Sequence, residues 1–383
     1  MFRNTGVNSG PQVSGTPPTA RTISRRHIKP LNLLALRESE KIRRYFEYYK
    51  DNYKFDTPIA HGRHGVVVAV TQFQRYAPPS PEISFAIKRA YDGSGNAVQI
   101  LENEIEWLRR LRGAPHVVQM LDLDPNPFDG LGRPTLAIEY VENGTLTDFI
   151  RRCARRGGQI PNRVLWAFFA CPMAWPDRGV LGAPVVLEQL PPDASERPKL
   201  QLTHGDLRPD NILIGGFEPL EGEHLLVPIL KVCDWGLSNE VADRRNENLG
   251  VARNIFDIAR IMRMLISFDT TYNLPSTVVE IPDIPPIREG GHWLTASPNL
   301  VRPNFPDLDP DLRDFVIQCT SVIPQVIPSL EDFITYLELN LGKTEPFYRI
   351  TPYAALEQDA RIRDYLLETI FYPPDDDEYE GIS

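Results

Sequence analysis

The spacing of apolar residues changes period several times along the chain. Over 31–50 the apolar positions Leu34, Ile42, Tyr45, Phe46 and Tyr49 fall at helical spacings, which predicts a helix. The β-branched run Val66-Val67-Val68-Ala69-Val70 follows, and a Pro-rich turn (77–81) leads into Ile83-Ser84-Phe85-Ala86-Ile87-Lys88, so two strands joined by a hairpin are expected. Helical spacing returns over 97–112, with Ile100, Ile105, Leu108 and Leu111 on one stripe. Residues 117–123 and 134–141 read as two more strands. Beyond Asn143-Gly144 the pattern is mainly helical, interrupted by Pro-rich stretches at 176–198 and 280–310, with short strands flanking Asp206 and Asp234. A strand-rich front followed by a helix-rich rear predicts an α+β fold.

Composition narrows the picture. The chain has 383 residues, 42% hydrophobic and 24% charged, which is ordinary for a globular protein and excludes a wholly disordered, collagen-like or coiled-coil chain. Proline is the outlier: 36 residues are about 9% of the chain, nearly double average usage, which calls for long irregular connections. Net charge is −10, from 41 Lys+Arg against 51 Asp+Glu, which speaks against a nucleic-acid binder. The longest apolar stretch, 164–176, is 13 residues with two prolines, too short to span a bilayer. No secretory leader is evident near Met1, so an intracellular protein, cytoplasmic or nuclear, is expected. Cys153, Cys171, Cys233 and Cys319 have no CxxC or His-rich spacing and read as reduced thiols, neither a disulfide frame nor a zinc site. Residues 1–30 are expected to be a disordered basic tail, and 375–380 a solvated acidic one.

Four local signals carry chemistry, in a fixed order. His61-Gly62-Arg63-His64-Gly65 between two strands is a Gly-rich hairpin whose backbone N–H groups can approach phosphate. Lys88 ends a strand, and Glu104, sixteen residues on, lies on the next helix. A cation in a sheet needs such a partner, and its ammonium also meets phosphate. Asp206 and Asn211, five apart between apolar runs, suit a carboxylate aimed at a nucleophile and an amide oxygen on Mg²⁺. Asp234, at a strand end before Trp235-Gly236, suits a metal ligand. Singly, each has a plain structural reading: a glycine turn, a snorkelling lysine, two surface turns. Their order is what sets them apart.

With these residues in that order, the chain resembles the protein kinase family. Ala60 to Val67 is similar to the Gly-rich loop, with alanine at the first glycine. Phe85-Ala86-Ile87-Lys88 is similar to V-A-I-K, His204 to Asn211 to H-R-D-L-x-x-x-N, and Asp234-Trp235-Gly236 to D-F-G. Glu104, Leu108 and Leu111 match the family's αC helix, Ala137 to Val141 its hinge, Asp257-Ile258-Ala259 the start of αF, and 311–338 its last two helices. The resemblance implies a two-lobed kinase-like fold, a five-stranded sheet plus one helix and then a mainly helical lobe. The implied organisation is a tail (1–30), a helical extension (31–52), an N-lobe (53–141), a C-lobe (142–340) with a Pro-rich insertion at 177–201, and a C-terminal extension (341–383). It implies ATP and Mg²⁺ as cofactors. By the same resemblance Asp206, Arg208, Lys88 and Glu104 are expected to take the catalytic roles, and Asn211 and Asp234 to hold the metal. The resemblance further implies that Ile59, Gly62, Gly65, Val67, Ala86, Lys88, Ile138, Glu139 and Tyr140 contact the nucleotide and that Asp257 braces the catalytic loop.

The departures bear on function. Gly205 replaces the arginine that grips an activation-loop phosphate, Arg208 replaces a lysine, and Trp235 replaces phenylalanine. The stretch after Gly236 has no A-P-E, and Ile327 stands where the family carries that glutamate's arginine partner. His204-Gly205-Asp206 with Asp234-Trp235 also resembles aminoglycoside and choline phosphotransferases. Three readings follow: a kinase acting on Ser/Thr of a protein, which the Gly-rich loop and last helices favour, an ATP-binding pseudokinase or scaffold, and a small-molecule phosphotransferase.

Overall fold

The computed structural model describes residues 31–73, 82–91, 95–123, 128–132, 134–171, 202–218, 224–241, 249–281, 291–301 and 304–373. The basic tail, the turn at 77–81, the insertion at 177–201 and the acidic stretch at 375–380 lie outside the described residues. Helix α1 (Leu33–Tyr48) precedes strands β1 (Tyr53–His61), β2 (Gly65–Gln72) and β3 (Ile83–Ala90), helix α2 (Ala97–Arg110) and strand β4 (Thr135–Glu139). The four strands form one antiparallel sheet in the order β1-β2-β3-β4. The chain is α+β.

Pleating sorts the side chains of this sheet into two sets. The register pairs Val68 with Ile87 and Ile87 with Ala137, and these bury against α1. The opposite face carries Val67, Lys88 and Leu136 in one row and Ala69, Ala86 and Ile138 in the next. Ala86, Leu136 and Ile138 join the large core that continues into the helices.

Helix α1 starts where the Asn32 side chain accepts from the Ala35 N–H at 2.8 Å. It docks through Ala35, Ile42 and Phe46, while Leu34, assigned to the apolar stripe by spacing, is half exposed. Burial contributes about 2 kcal/mol for each large apolar side chain, whereas solvent-screened pairs such as Glu40–Arg44 add little, so the apolar face holds α1 in place. One polar tie accompanies it. Buried Arg89 of β3 donates to Glu38 of α1 at 3.1 Å and to the Leu131 carbonyl at 3.0 Å.

The fifth strand expected at 117–123 does not form. Leu121 donates its N–H to the Ala137 carbonyl and Glu139 donates to the Gln119 carbonyl, with one bridge at Met120 and Ile138. Yet Val118 donates instead to the Val232 carbonyl, and Val232 donates to His116. The stretch divides its backbone bonds between two sheets, so it completes a ladder in neither.

The rest is mainly helical. Helices α3 (Leu146–Arg156) and α4 (Asn162–Ala170) come first. Two ribbons follow, of strands β5 (Leu202–Thr203) with β8 (Asn239–Glu240) and β6 (Ile212–Ile214) with β7 (Leu230–Val232). Helix α5 (Leu249–Ser267), hairpin β9 (Thr277–Ile281) and β10 (Gly291–Thr295), and helices α6 (Pro310–Cys319), α7 (Leu330–Leu341), α8 (Glu345–Tyr348) and α9 (Asp359–Leu366) complete it. Asp257 does not open a helix, because α5 begins eight residues earlier. Helix α4 is apolar all round and sits centrally, with Phe169 against Phe315 and Phe333. Among the described residues no helix is long and apolar enough to cross a membrane.

The C-terminal stretch fastens α4. Pro161 precedes that helix and offers no capping side chain, so its first N–H groups need an outside acceptor. Glu357, fully buried, supplies it, accepting from the N–H of Asn162 at 2.6 Å and of Arg163 at 3.1 Å. Glu357→Ala is expected to cost about 2 kcal/mol or more, read as a lower urea midpoint, while Glu106→Ala on the exposed face of α2 stays within about 0.5 kcal/mol.

Candidate functional site

A buried-face lysine on β3 must find counter-charge, and two elements deliver it. The Lys88 ammonium lies 2.6 Å from Glu104 of α2 and 2.6 Å from Asp234, which follows β7. Burial opposes the charge on Lys88, but the two carboxylates outweigh it and hold the ammonium protonated above its usual range. Burial likewise raises the Glu104 carboxyl. Asp234, with a side chain 41% exposed, is desolvated too, but Lys88 prevails and keeps it below the ordinary value. Its backbone is left-handed, with φ 66°, uncommon outside glycine.

Beside this trio runs the loop joining β5 to β6. Asn211 donates from Nδ2 to the Asp206 carbonyl at 2.8 Å and to its carboxylate at 2.9 Å. Both bonds use Nδ2, and Oδ1, the atom a metal takes, is engaged in neither. Half-burial raises the Asp206 carboxyl above its ordinary value despite the Asn211 amide. Arg208 turns to Asp210, its Nε 3.0 Å from Oδ2.

His204 supports the loop from beneath. The Asp206 N–H donates to Nδ1 at 3.2 Å, so Nε2 carries the ring proton and donates to the Cys233 carbonyl at 3.0 Å. Burial pushes this imidazole down to about 4, so it is neutral at pH 7, with both nitrogens used, and is no proton shuttle. Its ring stands edge to face with that of fully buried Trp235.

Several of the expected nucleotide residues share the sheet's inner face. Val67 and Ala86 lie in the rows that hold Lys88 and Ile138, and Ile59 and Tyr140 pack on the same core. Gly62 and Gly65 close the β1–β2 turn, the Gly62 N–H donating to the Gly65 carbonyl at 3.0 Å. Gly65 is required by packing, since a Cβ there would strike the Arg89 carbonyl, while open space surrounds Gly62. Glu139 is engaged otherwise: its carboxylate takes Lys231 at 2.9 Å and the Gln119 N–H at 2.8 Å.

One expectation is corrected. Asp257 pairs with Arg260 at 2.6 Å, and it is Asn254, one turn earlier on α5, that braces the loop. Its Oδ1 accepts from the His204 N–H at 3.2 Å and its Nδ2 donates to the Leu202 carbonyl at 2.7 Å. Sequence reading also missed Asn103 and Trp107. Four apart on α2, they donate to the Ser238 carbonyl, Asn103 to Gly236 as well, and so lock α2 onto the segment after Asp234. Their spacing beside Glu104 was the available signal.

A scan against models of known protein families finds no match, and neither does a search of curated proteins.

The backbone at position 205 requires glycine. It has φ 81°, and a Cβ there would run into the carbonyl of Leu237. Gly205→Ala is expected to cost about 2 kcal/mol or more in chemical denaturation, from the left-handed backbone and the collision together, while Gly62→Ala stays within about 0.5 kcal/mol.

Proposed function

We propose that this chain is an ATP-dependent phosphotransferase of the protein kinase type, two-lobed over about 53–340, acting with Mg²⁺ on a Ser or Thr hydroxyl of a protein. The observation that carries the reading is Lys88, 2.6 Å from both Glu104 and Asp234, with the linked pair Asp206 and Asn211 on the adjoining loop. Glu104 is buried and stays with Lys88, whereas Asp234, on a partly exposed side chain, is placed to be exchanged for an anionic ligand that would supply the same counter-charge.

The residues fit the group. Asp234 and Oδ1 of Asn211 are hard oxygen donors of the kind Mg²⁺ takes. Lys88 and the turn at Gly62 and Gly65 would receive the phosphates, and Ile59, Val67, Ala86 and Ile138 offer apolar surface to the base, beside the backbone of Glu139 and Tyr140. When bound, Mg·ATP supplies the transferable phosphoryl group and offsets its charge. Glu104 fixes the Lys88 ammonium in position. Asp206 orients the acceptor hydroxyl and takes its proton on the carboxylate, whose raised proton affinity suits a late transfer. Arg208 keeps a cation beside Asp206. Because Gly205 carries no side chain to grip a phosphate, activity should not need phosphorylation of the segment after Asp234.

A second acceptor class has its own support. His204-Gly205-Asp206 and Asp234-Trp235 are the forms favoured by aminoglycoside and choline phosphotransferases.

Mg·ATP is expected to raise the melting temperature of the wild type and not of Lys88→Met. Equal shifts in both, or none in the wild type, end the nucleotide claim. In Asp206→Asn, turnover should fall by roughly 10²–10⁴ with nucleotide binding near normal. Intact turnover would mean another base. Labelled ATP offered with a peptide library and a choline and aminoglycoside panel should label peptides. Label on small molecules alone selects the second class, and binding without transfer a pseudokinase.

A further inference from the structure

Three buried metal-ligating side chains meet beside β7, away from Lys88. His116 lies between α2 and β4, Cys171 directly follows α4, and His224 precedes β7. One donor atom from each lies within 4.8 Å of the other two. Cys171 Sγ is 4.0 Å from Nε2 of His224, and the two imidazoles stand edge to face with centroids 5.2 Å apart. All three residues are at least 95% buried.

The rings are already oriented. Nδ1 of His116 lies 3.0 Å from the Leu230 carbonyl, and Nδ1 of His224 lies 3.3 Å from the Val227 carbonyl. A carbonyl oxygen only accepts, so each Nδ1 carries the proton and each Nε2 keeps its lone pair. An imidazole whose far nitrogen is tied to a backbone carbonyl is the usual outer support of a metal-bound histidine. The three donor atoms converge on one point inside the protein, and a shared cation is the arrangement that would engage all three at once.

We propose that His116, Cys171 and His224 form a zinc site. One thiolate and two neutral imidazoles are borderline donors that suit Zn²⁺, whereas Mg²⁺ and Ca²⁺ demand oxygen. On binding, the Cys171 thiol releases its proton to solvent and a sulfur–zinc bond forms, with no change of oxidation state. Bond lengths of about 2.0–2.3 Å put neighbouring donors roughly 3.3–3.7 Å apart, so the side chains close by about 1 Å. Three protein donors leave one of zinc's four positions to water.

The site ties three segments to one strand. His116 accepts the Val232 N–H through its carbonyl and donates to Leu230 through its ring, so both ends of β7 hang on this residue. Cys171 adds the end of α4, and His224 adds the segment leading into β7. Zinc therefore pins the strand that ends two residues before Asp234. The assignment does not depend on the proposed phosphoryl transfer.

The full chain is loaded with ZnCl₂, desalted over chelating resin and its metal counted. The wild type is expected to retain about one zinc per chain. Cys171→Ala and His224→Ala should each retain at least about ten-fold less, while Cys153→Ala, at a buried thiol elsewhere, retains as much as the wild type. Cobalt(II) in place of zinc should give the wild type a thiolate-to-cobalt charge-transfer band that Cys171→Ala lacks. If a variant fails to fold, the cobalt spectra of the wild type and Cys153→Ala decide. No retained zinc, a cobalt spectrum without thiolate character, or equal zinc in Cys171→Ala overturns the site.

Discussion

One ammonium group organises the centre of this molecule. Lys88 sits on the inner face of the sheet, where an unpaired charge would be expelled or neutralised, and it stays charged because α2 and the strand before Asp234 each bring a carboxylate to 2.6 Å. That requirement fixes the placement of both elements. Helix α2 must lie with Glu104 facing the sheet, and β7 must end where Asp234 reaches the same nitrogen. The bonds from Asn103 and Trp107 to the segment after Asp234 then hold that placement without relying on charge.

Around this centre the loops are held by neutral groups. His204 has both nitrogens engaged by backbone, and Asn254 bridges His204 and Leu202. For the two acids themselves burial is the largest influence, opposed at Asp206 mainly by the Asn211 amide and at Asp234 mainly by the Lys88 ammonium. The tight approach of Gly205 to Leu237 draws the two loops together where a side chain would hold them apart.

Much of this was legible in the sequence because it rests on short-range pattern. The β-branched run of β2 and the apolar stretch of β3, the helical stripe of α2, the Lys88 and Glu104 pairing across a strand and the next helix, and the five-residue interval of Asp206 and Asn211 are all local features. What was not legible depends on distant segments meeting. Residues 117–123 have strand-like composition, but their backbone is shared between β4 and β7, a competition that periodicity cannot reveal. Asp257 matched a motif, yet the helix phase gives the loop to Asn254. Glu357 reaches α4 from almost two hundred residues away, and His116, Cys171 and His224 have no telling spacing because three separate elements bring them together.

The ion pair between Glu38 and Arg89 has a consequence for where this chain ends as an independent folding unit. Motif spacing draws the boundary at residue 53, after α1. A polypeptide begun there would bare the outer face of the sheet and leave Arg89, 4% exposed, as an uncompensated guanidinium beside it. Removing one partner of a buried pair typically costs about 3–5 kcal/mol, a large part of the total stability of a small domain. Helix α1 is therefore not an appendage upstream of the domain. Its side chains complete the core on the outer face of the sheet, and the Asn32 cap fixes where it begins.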